Sequence, residues 1–483
     1  MIINTNLSTT VEKIRSFLLM GQINKFEAAA SLLTLINNSN NDEIRINSIE
    51  LLGKISHVSK QIFKSLENCL VSDENPLIRA AAASELLHNY QEECYPSLEW
   101  TIKHENSIKV IKILLTLFKE LENKKTVKLN EKLKHRLSTK YGVVPEEVEF
   151  LLDLELEVNF FNINYLKMYS TNAIKGVISD RDSNYMMCAI INGHIKALNL
   201  SKWGLNRIPD SIGLLKKLEH LILKKNYIKT IPESLSNLSC LKTLDLSKCN
   251  VDSLPYSLTK LDKLKTFSIA HNYNIKLVPP SIISISKRYY GRKYTQEGVC
   301  PKESHVLGVL EIISGVTLSK ISKNDLTLYK DCASHYKINE NGNIVGIYLF
   351  HSKNPYLNFI PEVIIELNHL EELELPNNKI KSIPYSLGKL DSLKRLNLRN
   401  NEIPFIPGSL INLTKLNCLK LAGNKIREIP DWIKIKLDIR KCSYDMNGFR
   451  RYFFGIPIKE IIRRFSPNLN ERENYLKRFL SNN

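Results

Sequence analysis

A chain of 483 residues with 43% apolar and 24% charged side chains is long enough for two or three buried cores and has the balance of an ordinary soluble protein. No run approaches the roughly 18–20 consecutive apolar residues of a membrane span, and Met1–Met20 lacks the order of a secretory leader, so a cytoplasmic location is expected. The net charge of +18 is concentrated in two stretches: residues 286–302 hold five basic residues against one acidic, and residues 434–483 hold twelve against five. Nine scattered cysteines form no C-x-x-C pair and no Cys/His cluster at zinc-finger spacing, so reduced thiols are expected, with no metal or cofactor.

Residues 10–140 carry apolar side chains at helical spacing. Asn41–Ile55 and Glu74–Asn89 share an acidic turn, an Ile-Arg step and then Glu-Leu-Leu, and a looser echo starts at Glu105. Spacings of 31 to 35 residues predict about four helix pairs, with Pro76 in the first turn of its helix. Residues 136–155 then align without a gap to residues 292–311, sharing among others Gly142/Gly298, Val143/Val299, Pro145/Pro301 and Glu147/Glu303. Each copy predicts a turn, a helix and a hairpin-like opening, over Tyr185–Leu200 and Tyr336–Leu349.

From Ile195 the sequence repeats every 23 residues. Units begin at Ile195, Leu218, Leu241 and Leu264, and Pro209, Pro232, Pro255 and Pro279 follow at matching points. After an irregular opening unit (Ile344, Ile347, Leu349, then Ile360-Pro361), the same period returns at Leu370, Leu393 and Leu416, with Pro384, Pro407 and Pro430. The L-x-L core of each unit predicts a short strand with its apolar side chains inward. Asn226, Asn272, Asn378, Asn401 and Asn424 share one place, where a buried amide can bond the backbone left unpaired as the chain leaves the strand. Cys249 and Trp203 stand there in two other units. The Ile-Pro step predicts an extended return, and the x-x-L-x-x-L tail a short helical turn.

The unit L-x-x-L-x-L-x-x-N-x-I-x-x-I-P-x-x-L resembles the leucine-rich repeat of Ras-suppressor-like and plant disease-resistance-type proteins. The whole arrangement, with a G-V-x-P cap before each array, is similar to the HEAT plus leucine-rich-repeat proteins of Asgard-type archaea. The resemblance implies protein binding, in small-GTPase-type signalling. The expected fold class is α plus α/β: an all-helical HEAT-like solenoid followed by two capped leucine-rich-repeat solenoids with parallel concave sheets. The expected divisions are 1–140 (helical repeats), 141–285 (first cap and array), 286–301 (basic connector), 302–433 (second cap and array) and 434–483 (C-terminal cap).

On such a sheet the third, fifth, seventh and eighth places of each unit face outward. In the first array the eighth place reads Lys202, Lys225, Lys248 and His271, a basic column with strands about 4.8 Å apart. Like charges that close repel, so the column suits an acidic protein surface or phosphate, or else a solvated rim. The second array presents Tyr348, Phe350 and His351, then Glu372 and Glu374, then Arg395, Asn397 and Arg399, then Lys420. Aromatics beside arginines are interface anchors, and Tyr348 and Phe350 could equally pack on the helix at 302–314. Protein partners on these concave faces are the expectation, with no small-molecule substrate.

The rival is an anionic-surface binder, on nucleic acid or lipid headgroups. It would use the connector Lys287–Tyr294 and the tail residues Arg450, Arg451, Arg463 and Arg464, where cations alternate with aromatics. The same aromatics could instead cover the exposed end of each core. His220, Asp245 and Ser268 lie on successive strands, but at different motif places and without a nucleophile turn, so no catalysis is expected. No phosphate-binding glycine loop and no H-E-x-x-H motif occurs.

Overall fold

The computed structural model describes residues 11–55, 58–158, 166–169, 186–321, 334–350 and 357–426. The basic tail at 434–483 and His351 lie outside them. The chain divides into two units, residues 1–175 with 187–196, and residues 176–186 with 197–483. No helix among the described residues is long and apolar enough to cross a membrane.

The first unit holds nine described helices: α1 (Val11–Leu19), α2 (Lys25–Asn38), α3 (Asp42–Ile55), α4 (Lys60–Ser72), α5 (Pro76–Asn89), α6 (Tyr95–His104), α7 (Ile108–Leu121), α8 (Lys124–Tyr141) and α9 (Val148–Glu157). α3, α5, α7 and α9 pack in succession as one row, and α2, α4, α6 and α8 as another. Neighbours in the two rows pair, as α2 does with α3, α4 with α5 and α7 with α8. The core between the rows is built from Leu32, Ile36, Ile49, Leu66, Ile78, Leu86, Leu114 and Phe118, none more than 2% exposed.

The arginine of each Ile-Arg step reaches into the following pair. Arg45 bonds Asp73, the residue capping the end of α4, and Arg79 bonds Glu105, which caps α6, through two contacts of 2.7 and 2.9 Å. Burial alone would raise the Glu105 carboxyl; Arg79 and the N–H groups of Ser107 and Asn106 more than offset it and hold its pKa below the usual carboxylate value. The sequence echo is thus a repeated staple between helix pairs.

β1 (Leu166–Tyr169) and β2 (Met186–Ile191) precede β3 (His194–Asn199). The turn Asn192–Gly193 joins β2 to β3 with φ of 52° and 75°, the left-handed pair that matches hairpin twist. The loop before α9 holds this hairpin: Val144 N–H donates to the Gly193 carbonyl (2.8 Å), and the buried Glu147 carboxylate accepts from Ile195 N–H (2.8 Å).

In the second unit the end of β3 pairs in parallel with β4 (His220–Ile222), then β5 (Thr243–Asp245), then β6 (Thr266–Ser268). The register aligns Leu198, Leu221, Leu244 and Phe267, all buried, one repeat apart. Each Ile-Pro or Leu-Pro step leads into a short 3-10 turn: Asp210–Leu214, Glu233–Asn237 and, after Leu254-Pro255, Tyr256–Lys260. The asparagine ladder is realised. Asn272 accepts from Val251 N–H (3.0 Å) and donates to the Leu246 and Ile269 carbonyls (2.8 and 2.7 Å), so one amide ties two repeats. Asn226, Asn401 and Asn424 do the same. The Cys249 thiol donates to the Leu223 carbonyl (3.3 Å), and burial pushes its pKa up to about 11.

After the first array, α10 (Pro280–Ile285), a π turn (Ser286–Tyr290) and α11 (Gly291–Gln296) form one continuous helical segment where the basic connector was expected. Tyr290 and Tyr294 are buried, so neither offers a ring to a stacking ligand. α12 (Ser304–Ser314) follows with all eleven residues buried. It closes the end of the first array: Ile269 N–H of the strand region donates to the Ile312 carbonyl (3.0 Å).

β7 (Ser319–Lys320) pairs with β8 (His335–Ile338), which pairs antiparallel with β9 (Ile344–Tyr348). β9 runs parallel to β10 (Glu372–Glu374), then β11 (Arg395–Asn397), then β12 (Cys418–Lys420). The second copy of the duplicated segment repeats the contacts of the first. Cys300 N–H donates to the Gly342 carbonyl (2.8 Å), and the buried Glu303 carboxylate accepts from Ile344 N–H (2.6 Å).

Candidate interaction site on the first repeat array

Just past each strand of the first array the chain turns through a left-handed residue. These residues are Lys202 (φ 67°), Lys225 (61°), Lys248 (56°) and His271 (62°). Their N–H groups extend the ladder between repeats: Lys202 to the Lys224 carbonyl (3.0 Å), Lys225 to Ser247 (2.9 Å) and Lys248 to Ala270 (2.7 Å). The four predicted residues therefore stand in one column along the edge of the sheet. In the second array the same place holds Asn377 (59°), Asn400 (54°) and Gly423 (75°). Asparagine and glycine adopt this conformation readily, whereas a residue such as lysine meets a clash worth roughly 1–2 kcal/mol.

Elsewhere in the arrays a lysine meets a carboxylate one repeat away: Lys242 with Glu219, Lys394 with Glu371 (2.8 Å) and Lys425 with Glu402 (3.1 Å). Among the described residues, Lys225 and Lys248 have no carboxylate within the 4.0 Å reach of an ion pair. Burial, with Lys225 and Lys224 close by, holds the Lys248 ammonium below its usual pKa. Asp245, on the neighbouring strand β5, accepts from Ser247 N–H (2.8 Å).

Two aromatic residues flank the column and were not anticipated. Tyr227 is 61% exposed, and Tyr273 is partly exposed with its hydroxyl 3.0 Å from His271 Nδ1. A signal was available in the sequence: both stand two places after a column residue, at the same point of the 23-residue unit.

On the second array the outward face is knitted together internally. Tyr348 is 7% exposed, donates its hydroxyl to Glu372 (2.8 Å) and stacks on Phe350, with ring centroids 6.2 Å apart. Arg395 lies 3.8 Å from Glu372 and 3.5 Å from the buried Glu374, to which Asn397 also donates (2.6 Å). Phe350, Arg395 and Arg399 are each half-buried, so this face presents edges of side chains already engaged with neighbours.

The three residues weighed for catalysis do not converge in register. His220 stands opposite Thr243, with its Nδ1 3.0 Å from the threonine hydroxyl, while Asp245 stands opposite Ser268 on the adjacent column. Burial lowers the His220 pKa.

Comparison with known proteins agrees with the period. Residues 193–251 and 354–426 match the leucine rich repeat family. No curated relative matches the chain. Among solved structures, a Leptospira interrogans leucine-rich-repeat protein is 26% identical over 52% of this chain, with a TM-score of 0.25, and the chain spans 60% of that protein. A plant peptide hormone receptor solved in complex with RGF2 is 23% identical over 49% of this chain and 29% of its own length, with a TM-score of 0.20. An internalin of Listeria monocytogenes is 16% identical over 54% of this chain and 77% of its own length, with a TM-score of 0.21. Two spans of this chain, residues 193–251 and 354–426, are therefore leucine-rich repeats.

Proposed function

We infer that the chain is a non-enzymatic protein-interaction scaffold whose first array captures an acidic protein surface on the column Lys202, Lys225, Lys248 and His271. The carrying observation is that lysines occupy a left-handed place where the second array uses asparagine and glycine. Backbone strain retained at one array and relieved at the other is the mark of a position kept for something besides folding. The absence of carboxylate partners for Lys225 and Lys248 supports the same reading, because an acidic partner would relieve their mutual repulsion. Tyr227, exposed beside the cations, supplies apolar area of the kind that anchors interfaces, while the Tyr273 ring is already covered by the Lys379 ammonium, 4.7 Å from its centroid. The second array, through Phe350, Arg395 and Arg399, offers a separate face of mixed charge. A small GTPase is the partner class that the resemblance of the repeat implies.

The test uses a fluorescent polyglutamate peptide as probe on the full chain. Binding that weakens with added salt and drops about tenfold or more in Lys225→Glu/Lys248→Glu supports the column. Unchanged binding in that variant, with its circular dichroism intact, removes the site. Preferential, salt-steep capture of duplex DNA of any sequence would favour the rival anionic-surface reading instead.

A further inference from the structure

The basic segment between the arrays has no part in that reading, yet its geometry is specific. The π turn Ser286–Tyr290 closes with Gly291 N–H donating to the Ser286 carbonyl, five residues back. That closure brings residues five apart onto one face. Lys287 and Arg292 are such a pair, and both line a surface cavity of about 570 Å³ together with Lys302, Ser304, His305 and Glu366. The residues that follow them, Arg288 and Lys293, turn away to Asp262 (2.7 Å) and Glu311 (2.9 Å). Among the described residues, Lys287, Arg292 and Lys302 have no carboxylate within 4.0 Å.

The cavity is held open by packing rather than by loose surface chain. Gly308 lets α12 approach the π turn, because a Cβ there would collide with Ser286 Oγ and Tyr290 Cβ. Ser286 Oγ donates to the His305 carbonyl (2.5 Å), fixing the first turn of α12 beneath the cavity. His305 is 4% exposed, and its Nε2 lies 3.2 Å from a Glu366 oxygen without the angle of a hydrogen bond. It is a buried polar atom without a hydrogen-bond partner at the wall of a cationic cavity.

The chemistry selects an anion. The hydroxyls at the rim are already committed: Thr295 donates to the Gly291 carbonyl (2.7 Å) and Ser304 to that of Pro301 (3.0 Å). Beside the Gln296 amide and His305, the lining carries three cations against one carboxylate, a net of two positive charges. A phosphate monoester carries about −1.5 to −2 at neutral pH and accepts charge-assisted bonds from lysine and arginine. We propose that this cavity binds a phosphate monoester, borne either by a phosphorylated side chain of a protein or by a small molecule. Glu366, the one carboxylate at the cavity wall, lies against His305 rather than on the three cations, and its charge opposes an anion bound there.

Fluorescence polarisation on the full chain tests this with a phosphoserine peptide, the same peptide unphosphorylated, and free O-phosphoserine as competitor. The phosphopeptide should bind at least about tenfold more tightly than its unphosphorylated form. Arg292→Ala/Lys302→Ala should lower that affinity about tenfold or more, Glu366→Gln should raise it severalfold, and Lys225→Glu/Lys248→Glu should leave it unchanged. Full competition by free O-phosphoserine at the same affinity assigns a small-molecule source, and weak competition assigns a protein-borne one. Equal binding of the two peptides, or equal binding by the wild type and Arg292→Ala/Lys302→Ala, overturns the proposal.

Discussion

At Lys225 a lysine side chain sits on a backbone with φ of 61°, a conformation that brings its Cβ against the neighbouring carbonyl. The strain and the charge at this residue act in opposite directions on folding and on binding, and one substitution separates them. Lys225→Asn should raise stability by about 1 kcal/mol in urea denaturation, because asparagine occupies the left-handed region at lower cost. The same change should weaken polyglutamate binding. A variant that is both less stable and equally competent would contradict the role given to this residue. At the neighbouring place the asparagine ladder makes the reverse prediction. Asn272→Ala leaves Val251 N–H and two buried carbonyls without partners, and should cost about 2–3 kcal/mol by the same measurement.

Two elements recur, and in both a buried carboxylate joins segments distant in sequence. Glu147 receives Ile195 N–H and Glu303 receives Ile344 N–H, so the duplicated turn pins the first residue of each array's opening unit. Burial raises both carboxyl pKa values, and the backbone N–H lowers them only in part. The folded state thus holds these protons more tightly than the unfolded state. Their contribution is full below the ordinary glutamate pKa and is lost as pH rises through the raised value. Glu303→Gln should flatten that decline while keeping an oxygen to accept Ile344 N–H, which urea titrations compared between pH 4 and 7 would show. Glu105 has the opposite sign, because its folded pKa is depressed and its stabilisation is lost as pH falls through that value. Arg79→Ala strands the Glu105 carboxylate, whose side chain is 5% exposed, and should cost about 3 kcal/mol near pH 7 and less in acid.

Over the second unit as a whole, α12 is shared by the two arrays. Its backbone receives Ile269 N–H at the end of the first sheet, and its side chains pack on the 3-10 turn Glu362–Glu366 of the second. Asn358 adds a direct tie, donating to the Tyr273 and Ile275 carbonyls (3.1 and 3.0 Å). Repeat stacks gain stability from their neighbours, so a helix inserted between two stacks couples them. Leu310→Ala, at a fully buried position, should lower protection of the Leu221 and Leu373 amides together in hydrogen exchange, by about 2–4 kcal/mol. Loss confined to one array would show that they open independently.

Much of this was legible in the residues. A period of 23 with leucine or isoleucine at fixed places leaves one way to bury the apolar set, parallel strands in register, and the Ile-Pro step and the buried asparagine follow from backbone bonding alone. The lysine column was legible for the same reason, since residues one period apart must stand side by side. What sequence did not reveal was that its backbone is left-handed, although Asn377, Asn400 and Gly423 at the same place carried the hint. Tertiary contacts decided the rest. Tyr348 and Arg395 look like exposed anchors in sequence, but Glu372 and Glu374 on the adjoining strand engage them. Lys287 and Arg292 share a face across a π turn that packs against Gly308, where a Cβ would collide with Tyr290. Periodicity dictates neighbours one repeat apart, because the strand spacing is constant; contacts between different kinds of element depend on how two surfaces fit, and only the folded chain settles that.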